Sequence, residues 1–116
     1  MAENDNILTK LHDLLLYLVP LLAKFPRDQK FLLADRLQVK IMDVQECCLR
    51  AYYGRDKVHQ LDEANMGLEI ARHLVRLCYD LRLLNAQKYG VLSERLDEVG
   101  RMLGGWLRKS RGTTAG

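Results

Sequence analysis

The sequence predicts an all-α protein whose fold is an up-down-up-down antiparallel four-helix bundle. Apolar residues recur at spacings of three and four along four segments, which is the pattern of a buried face on an amphipathic helix. Hydrophobic residues make up 48% of the 116 residues, aromatic residues only 7%, and there are two prolines, which is typical of leucine-rich helix packing. Four helices of about twenty residues joined by short turns favour antiparallel neighbours.

The first two predicted helices cover residues 6–23 and 28–53. Pro26 ends the first, because the residue before a proline disfavours the helical conformation, and Gly54 ends the second. The inward residues expected in the first helix are Leu8, Leu11, Leu15, Leu18 and Leu22. Those expected in the second helix are Leu37, Ile41, Val44, Cys48 and Ala51.

The third and fourth predicted helices cover residues 58–84 and 88–108, with a short turn at residues 85–87. The inward residues expected in these two helices are Leu74, Leu77, Leu81 and Leu84, followed by Val99, Leu103 and Trp106. We therefore assign residues 1–109 to the bundle domain and residues 110–116 to a polar C-terminal tail.

A pair of glycines interrupts the fourth predicted helix at Gly104 and Gly105. Each glycine weakens a helix by about 1 kcal/mol relative to alanine, so a compensating interaction is expected. We expect close approach of a neighbouring helix at this pair, with the indole of Trp106 packed in the core.

The cysteines and the N-terminal segment predict a cytoplasmic protein. Cys47, Cys48 and Cys78 are odd in number, and two of them are adjacent on a helix, where side chains diverge, so reduced thiols are favoured over disulfides. The first residues lack a basic signal-peptide region, and the apolar stretch at residues 14–23 is too short to span a bilayer. Neither secretion nor membrane insertion is expected.

No arrangement typical of an enzyme is found. A di-iron bundle needs Glu-x-x-His pairs on two helices, whereas the nearest case, Glu69 with His73, has the wrong spacing and occurs once. His12 and His59 lie on other segments without metal-ligand spacing. We therefore predict no catalytic residue, no metal ligand and no cofactor, although a metalloenzyme bundle remains a third hypothesis.

Positive charge is concentrated in the second half of the chain. The overall net charge is +3, but residues 72–116 hold nine Lys or Arg and four Asp or Glu, a net charge of +5, whereas residues 1–71 hold nine and eleven, a net charge of −2. Such asymmetry favours an anionic partner such as nucleic acid. An ordinary solvated helix surface is the alternative.

Eight basic residues are candidate contacts to RNA or DNA. No base-reading signature accompanies them, so contact with the phosphate backbone is the expected mode. The alternative for Arg76 is an ion pair with Asp80 one turn away, and the alternative for Arg101 is a pair with Asp97. The candidates are Arg72 and Arg76 on the third predicted helix, Arg101, Arg108 and Lys109 on the fourth, and Arg27, Lys30 and Arg36 around the start of the second.

The third predicted helix is apolar around more than half of its circumference, which predicts self-association. Leu68, Ile70, Val75 and Cys78 add to the expected inward leucines. A helix with apolar residues on so much of its surface needs a second surface against which to bury them. We expect a closed oligomer larger than a dimer.

Three segments in this order resemble the Avd family, the accessory variability determinants of diversity-generating retroelements. They are FPRDQKFLLADRLQ at residues 25–38, ARHLVRLCYDLRLL at 71–84 and KYGVLSERLDEVGRMLGGWL at 88–107. The resemblance covers residues 25–109, and EVGRMLGGW is its most specific part. The first helix fits only by its pattern.

The resemblance implies a non-catalytic homopentamer of four-helix bundles that binds the reverse transcriptase and the template-repeat RNA and supports mutagenic reverse transcription. It also implies nucleic-acid contact for Arg72, Arg76 and Arg101, which occupy the family's basic positions. The alternatives are a bundle protein of the ribosomal-RNA intervening-sequence type and an orphan oligomeric scaffold. A neighbouring reverse-transcriptase gene with a variable repeat distinguishes these hypotheses.

Overall fold

Four long helices make up most of the protein. The computed structural model describes residues 2–115, with side chains described for residues 6–112, and this part of the chain contains no strand. The helices are α1 (Ala2–Leu22), α2 (Asp35–Tyr53), α3 (Lys57–Asp80) and α4 (Ala86–Ala115). Helices α1 and α3 each pack against both α2 and α4. The all-α prediction with four helices is confirmed.

The segment before α2 is helical but not a regular α-helix. A single helical turn, Arg27–Gln29, follows Pro26, and a π-helical stretch, Lys30–Ala34, leads directly into α2. The predicted start near residue 28 is therefore confirmed, but the π-helical stretch was not foreseen. A π-helical turn holds an extra residue, so it rotates the side chains that precede α2 relative to those of α2 itself.

The core is one cluster of buried aliphatic side chains from all four helices, with Phe25 and Trp106 at its aromatic positions. The described residues include no buried polar or charged residue. All five inward residues predicted for α2 are buried, as are the three predicted for α4. In α1, Leu8 and Leu15 are only half-buried, and Ile7, Leu14 and Leu21 are the additional core residues.

Helix α3 presents a different face to the core from the one predicted. Leu77 and Leu81 are 43% and 52% exposed, so their predicted inward positions are wrong, and Leu74 is half-buried. The helix instead buries a stripe that includes three residues with little or no side chain. This buried stripe consists of Leu61, Ala64, Gly67, Leu68, Ala71, Val75 and Cys78.

Small residues explain this choice, because they let α3 approach its neighbours closely. A Cβ atom on Gly67 would lie 2.9 Å from Cγ2 of Val44 on α2, which is closer than real packing allows. Both stripes of α3 have helical spacing, so periodicity alone does not distinguish them. Close approach at Gly67 decides which stripe is buried.

Helix α3 ends at Asp80, earlier than the predicted residue 84. Arg82 has a φ of 65°, the left-handed conformation that normally favours glycine. The Leu83 amide donates to the Cys78 carbonyl at 2.8 Å, and the Arg82 amide donates to the Tyr79 carbonyl at 2.9 Å. These two hydrogen bonds close a Schellman-type end. The following Leu84 is buried, as predicted, but lies in the turn rather than in the helix.

Helix α4 is longer than the predicted 88–108. The Asn85 side chain caps its start, because the Lys88 amide donates to Asn85 Oδ1 at 2.8 Å. The helix continues to Ala115 without a break at residue 110. The division into a bundle at residues 1–109 and a tail at 110–116 stays a prediction.

All three cysteines are free thiols, as predicted. Cys48 and Cys78 are buried in the core, and burial raises the pKa of Cys48 to about 12 and that of Cys78 to about 11. Cys47 is half-buried at the edge of the core. None of the helices among the described residues is long and apolar enough to cross a membrane.

Candidate nucleic-acid interface

Arg72 connects α3 to α4 through several polar contacts. Its Nη1 donates to the carboxylate of Asp97 on α4, and its Nη2 donates to the Leu96 carbonyl at 3.4 Å. Its Nε is buried, makes no hydrogen bond, and lies 3.4 Å from Oε2 of Glu69. The half-buried guanidinium is therefore compensated by two carboxylates.

Gly100 leaves the space that the Arg72 guanidinium occupies. A Cβ atom on Gly100 would lie 2.6 Å from Nη2 of Arg72 and 3.4 Å from Cδ2 of Leu68. The glycine therefore permits the arginine to cross from α3 to Asp97 on α4. Arg72, Asp97 and Gly100 together act as an interhelical tie.

Arg76 forms the ion pair that was the alternative to nucleic-acid contact. Its Nε lies 3.1 Å from Oδ2 of Asp80, one turn along α3, and both side chains are exposed. The Asp80 carboxylate is the main cause that raises the pKa of Arg76, with a smaller contribution from Tyr89. Tyr89 in turn stacks on Tyr79, with ring centroids 4.3 Å apart. Arg76 therefore lies beside an aromatic pair and a carboxylate.

Arg101 and Arg108 are exposed arginines on the surface of α4. They lie seven residues apart, which is two helical turns or about 10 Å on the same face. Neither forms an ion pair among residues 6–112. The expected alternative pair of Arg101 with Asp97 is absent from this part of the chain, because Asp97 binds Arg72 instead.

Close approach of a neighbouring helix does not occur at Gly104. The group nearest to a Cβ atom on Gly104 would be Nη1 of Arg108, 3.4 Å away on the same helix. The expected close approach is therefore not seen at Gly104, whereas at Gly105 it stays a prediction; the expected burial of Trp106 is confirmed. The missing side chain instead lets the Arg108 guanidinium lie along the surface of α4.

The other four candidates are more scattered. Lys109 is exposed on α4, next to Arg108. Arg27 and Arg36 are exposed and Lys30 is half-buried, and these three flank the π-helical stretch before α2. Ala34 and Leu33 of that stretch pack into and against the core. The structure thus brings Arg72, Arg76, Arg101 and Arg108 onto two adjacent helices, while Arg27, Lys30 and Arg36 belong to a separate segment.

Three further cationic contacts were not predicted from the sequence. The Arg95 guanidinium lies 5.1 Å from the centroid of the Tyr17 ring, within cation–π distance. The remaining contacts link Lys10 to Glu98 at 3.3 Å and Arg111 to Asp62 at 2.7 Å. Their partners lie on other helices, so no spacing within one helix reveals them.

This arrangement of exposed arginines can hold anions. Among the described residues, no group of three or more His, Cys, Asp or Glu side chains could hold a metal ion. Exposed arginines hold phosphate oxygens through paired N–H donors. Arg101 shares a shallow depression with Glu94, Arg95 and Glu98, so its field is moderated by acidic neighbours.

Comparison with known families decides the assignment. The model of the bAvd-like family matches residues 6–110. The chain belongs to the bAvd-like family. Family membership confirms the resemblance seen in residues 25–109 and extends it over most of α1, which fitted only by its pattern. A comparison with curated proteins gives no significant match.

Proposed function

We propose that this bAvd-like protein is a non-catalytic accessory protein of a diversity-generating retroelement, which binds the reverse transcriptase and the template-repeat RNA and supports mutagenic reverse transcription. The observation that carries the proposal is the family match over residues 6–110. The net charge of +5 in residues 72–116 supports an anionic partner. The protein would act by holding RNA near the polymerase rather than by chemistry of its own.

Arg101 and Arg108 are the primary RNA contacts in this proposal. Both are exposed, both lie on one face of α4, and neither forms an ion pair within residues 6–112. A phosphate can therefore approach either guanidinium without displacing a bound carboxylate. Each phosphate contact releases condensed counterions, so the affinity should depend strongly on salt.

Arg72 and Arg76 have a different place in the proposal. Each already binds a carboxylate, so contact with a phosphate requires that carboxylate to be exchanged. Arg72 acts mainly as a positioning residue that fixes α4 against α3. Arg27, Lys30, Arg36 and Lys109 contribute mainly to the positive field around the RNA.

We also propose the up-down-up-down topology for the bundle. As residue numbers increase along one helix, the numbers of the residues that it contacts on the neighbouring helix decrease, as antiparallel packing requires. Short connections between the helices also favour this order. The supporting contacts pair Asp62 with Arg111 and Arg72 with Asp97 between α3 and α4, and Lys10 with Glu98 and Tyr17 with Arg95 between α1 and α4.

The proposed assembly is a cytoplasmic homopentamer. Its size comes from the family resemblance, and the exposed apolar residues of α3 support self-association. Reduced, buried thiols support a reducing compartment. The exposed apolar residues of α3 are Met66, Ile70, Leu77 and Leu81.

Reconstitution tests the proposed function. The reverse transcriptase of the retroelement to which the proposal assigns this protein is incubated with template-repeat RNA, with and without the purified accessory protein. We expect the reverse transcriptase and the accessory protein to form a complex. Mutated cDNA should accumulate only when both proteins are present. Equal cDNA from the polymerase alone, without a complex, contradicts the proposal and favours an orphan scaffold.

A further inference from the structure

Two large apolar side chains protrude from the π-helical stretch before α2. Phe31 is 71% exposed and Leu32 is 63% exposed, whereas Leu33 and Ala34 face the core. We call the exposed pair the Phe31/Leu32 knob. Burial of exposed apolar side chains is favourable, so the knob is suited to insertion into a complementary surface.

Basic residues flank the Phe31/Leu32 knob along the chain. Arg27, Lys30 and Arg36 flank it, with Asp28 and Asp35 as the acidic neighbours, which leaves a net positive charge. A complementary surface should therefore combine apolar contacts with acidic residues at its edge.

A groove between α2 and α3 has this composition. Val44 and Gly67 line it where α2 and α3 approach closely, because Gly67 has no side chain. Met66 and Ile70 supply further apolar lining, and Met66 is 60% exposed. The acidic lining residues of this α2–α3 groove are Asp43, Glu46 and Glu63.

Acidic side chains outnumber basic ones in the groove, where Lys40 is the basic lining residue. Cys47 lies in its wall, and the pKa of this thiol is raised first by burial and then by Glu63, Glu46 and Asp43. Lys40 lies 3.7 Å from Asp43, and Arg50 pairs with Glu46 at 2.9 Å. Glu63 forms no ion pair within residues 6–112 and is available for an incoming cation.

The knob cannot reach the groove of its own chain. Both are fixed to α2, and Leu32 lies eight residues before Lys40, the first lining residue of the groove, which corresponds to about 12 Å along the helix axis. We propose that the Phe31/Leu32 knob of one copy occupies the α2–α3 groove of a second copy, with Arg27, Lys30 and Arg36 opposite the acidic residues. The proposal rests on the homo-oligomer of the proposed function and identifies its contact surfaces.

Different surfaces meet in this contact, so it is heterologous. Repetition of a heterologous contact produces a ring when the rotation between copies closes and a filament when it does not. A second copy is favoured as the occupant because one chain carries both complementary surfaces. A closed ring also leaves Arg101 and Arg108 outside the contact.

Disulfide trapping tests the contact in the full-length chain. Leu32→Cys places a thiol on the knob, and Cys47 is the half-buried native thiol in the groove. Under mild oxidation, we expect a ladder of disulfide-linked oligomers that disappears when Cys47→Ser is added. Leu16→Cys is the matched control, because Leu16 is also 63% exposed but lies on α1, and it should give no Cys47-dependent ladder. Absence of the Leu32→Cys ladder, or its persistence without Cys47, overturns the proposal.

Light scattering separates this inference from the proposed function. Leu32→Asp should reduce the mass of the wild-type oligomer to that of one chain, whereas Leu16→Asp should leave the mass unchanged. An oligomeric wild type that Leu32→Asp does not alter overturns only the contact. If Leu32→Asp abolishes polymerase binding while the oligomer stays intact, the knob docks the polymerase and this inference is wrong. A monomeric wild type overturns both the proposed oligomer and the proposed contact. RNA binding and polymerase binding are measured separately.

Discussion

Arg72 on α3 and Asp97 on α4 form an ion pair across the interface between two helices, and Gly100 leaves the space through which the guanidinium passes. The pair explains part of the family-like segment at residues 88–107, in which Asp97 and Gly100 are three residues apart on one face of α4. Arg72, a candidate nucleic-acid contact, therefore also links α3 to α4.

Replacement of Arg72 should reduce stability more than replacement of Arg76. Arg72→Ala leaves Asp97 and Glu69 without their cation at a half-buried position, so we expect a loss of about 1 kcal/mol. Arg76→Ala removes an exposed pair within one helix, so the expected loss is smaller. Urea unfolding followed by circular dichroism measures both, and equal losses would contradict the distinction.

Gly67 and Gly90 should respond to alanine in opposite directions. Gly67→Ala forces a shift of the stiff Val44 side chain and should destabilise the protein by about 1–3 kcal/mol. Gly90 is helical with no atom within 4 Å of a Cβ position, so Gly90→Ala should stabilise by about 0.5–1 kcal/mol. Thermal unfolding of both variants checks the signs. A neutral Gly67→Ala would mean that the approach of α3 to α2 is looser than described.

The sequence predicted the helices better than it predicted their faces. The inward residues of α2 were all correct, because that helix has one dominant apolar stripe. The α3 face was wrong at Leu77 and Leu81, since the buried stripe contains Ala and Gly, which carry little hydrophobic signal. The role of Arg72 could not be found, because Asp97 is 25 residues away on another helix. The exposure of Phe31 depends on a π-helical turn that has no clear sequence signature.

Arg82→Gly should stabilise the turn between α3 and α4. Arg82 has a φ of 65°, and the left-handed conformation costs a non-glycine residue roughly 1–2 kcal/mol. Glycine removes this strain but adds entropy to the unfolded chain, so the expected net gain is below about 1 kcal/mol. Chemical denaturation measures the gain. Arg82→Ala, which keeps a Cβ atom, is the control and should give no gain.

Stability should fall as the pH rises above 9. The pKa of buried Cys48 is raised from 9.0 to about 12, so between these values the unfolded state loses a proton that the folded state retains. The free energy of unfolding therefore decreases by about 1.4 kcal/mol per pH unit for this thiol. Between pH 8 and 10, wild type should lose more stability than Cys48→Ala, in which this thiol is absent. Identical pH dependence would show that Cys48 is not protected in the folded state.

The proposed RNA surface is tested most directly by the salt dependence of RNA binding. Wild type, Arg101→Ala/Arg108→Ala and a charge-matched control, Lys24→Ala/Arg55→Ala, are titrated against two unrelated RNAs at several salt concentrations. Lys24 and Arg55 are exposed in turns and lie outside the candidate surface. We expect the Arg101/Arg108 variant to bind both RNAs more weakly and the slope of log affinity against log salt to become shallower by roughly two units, one for each lost contact. The control should retain nearly the wild-type slope. An Arg101/Arg108 variant with normal folding and the same affinity and slope as the control would contradict the account.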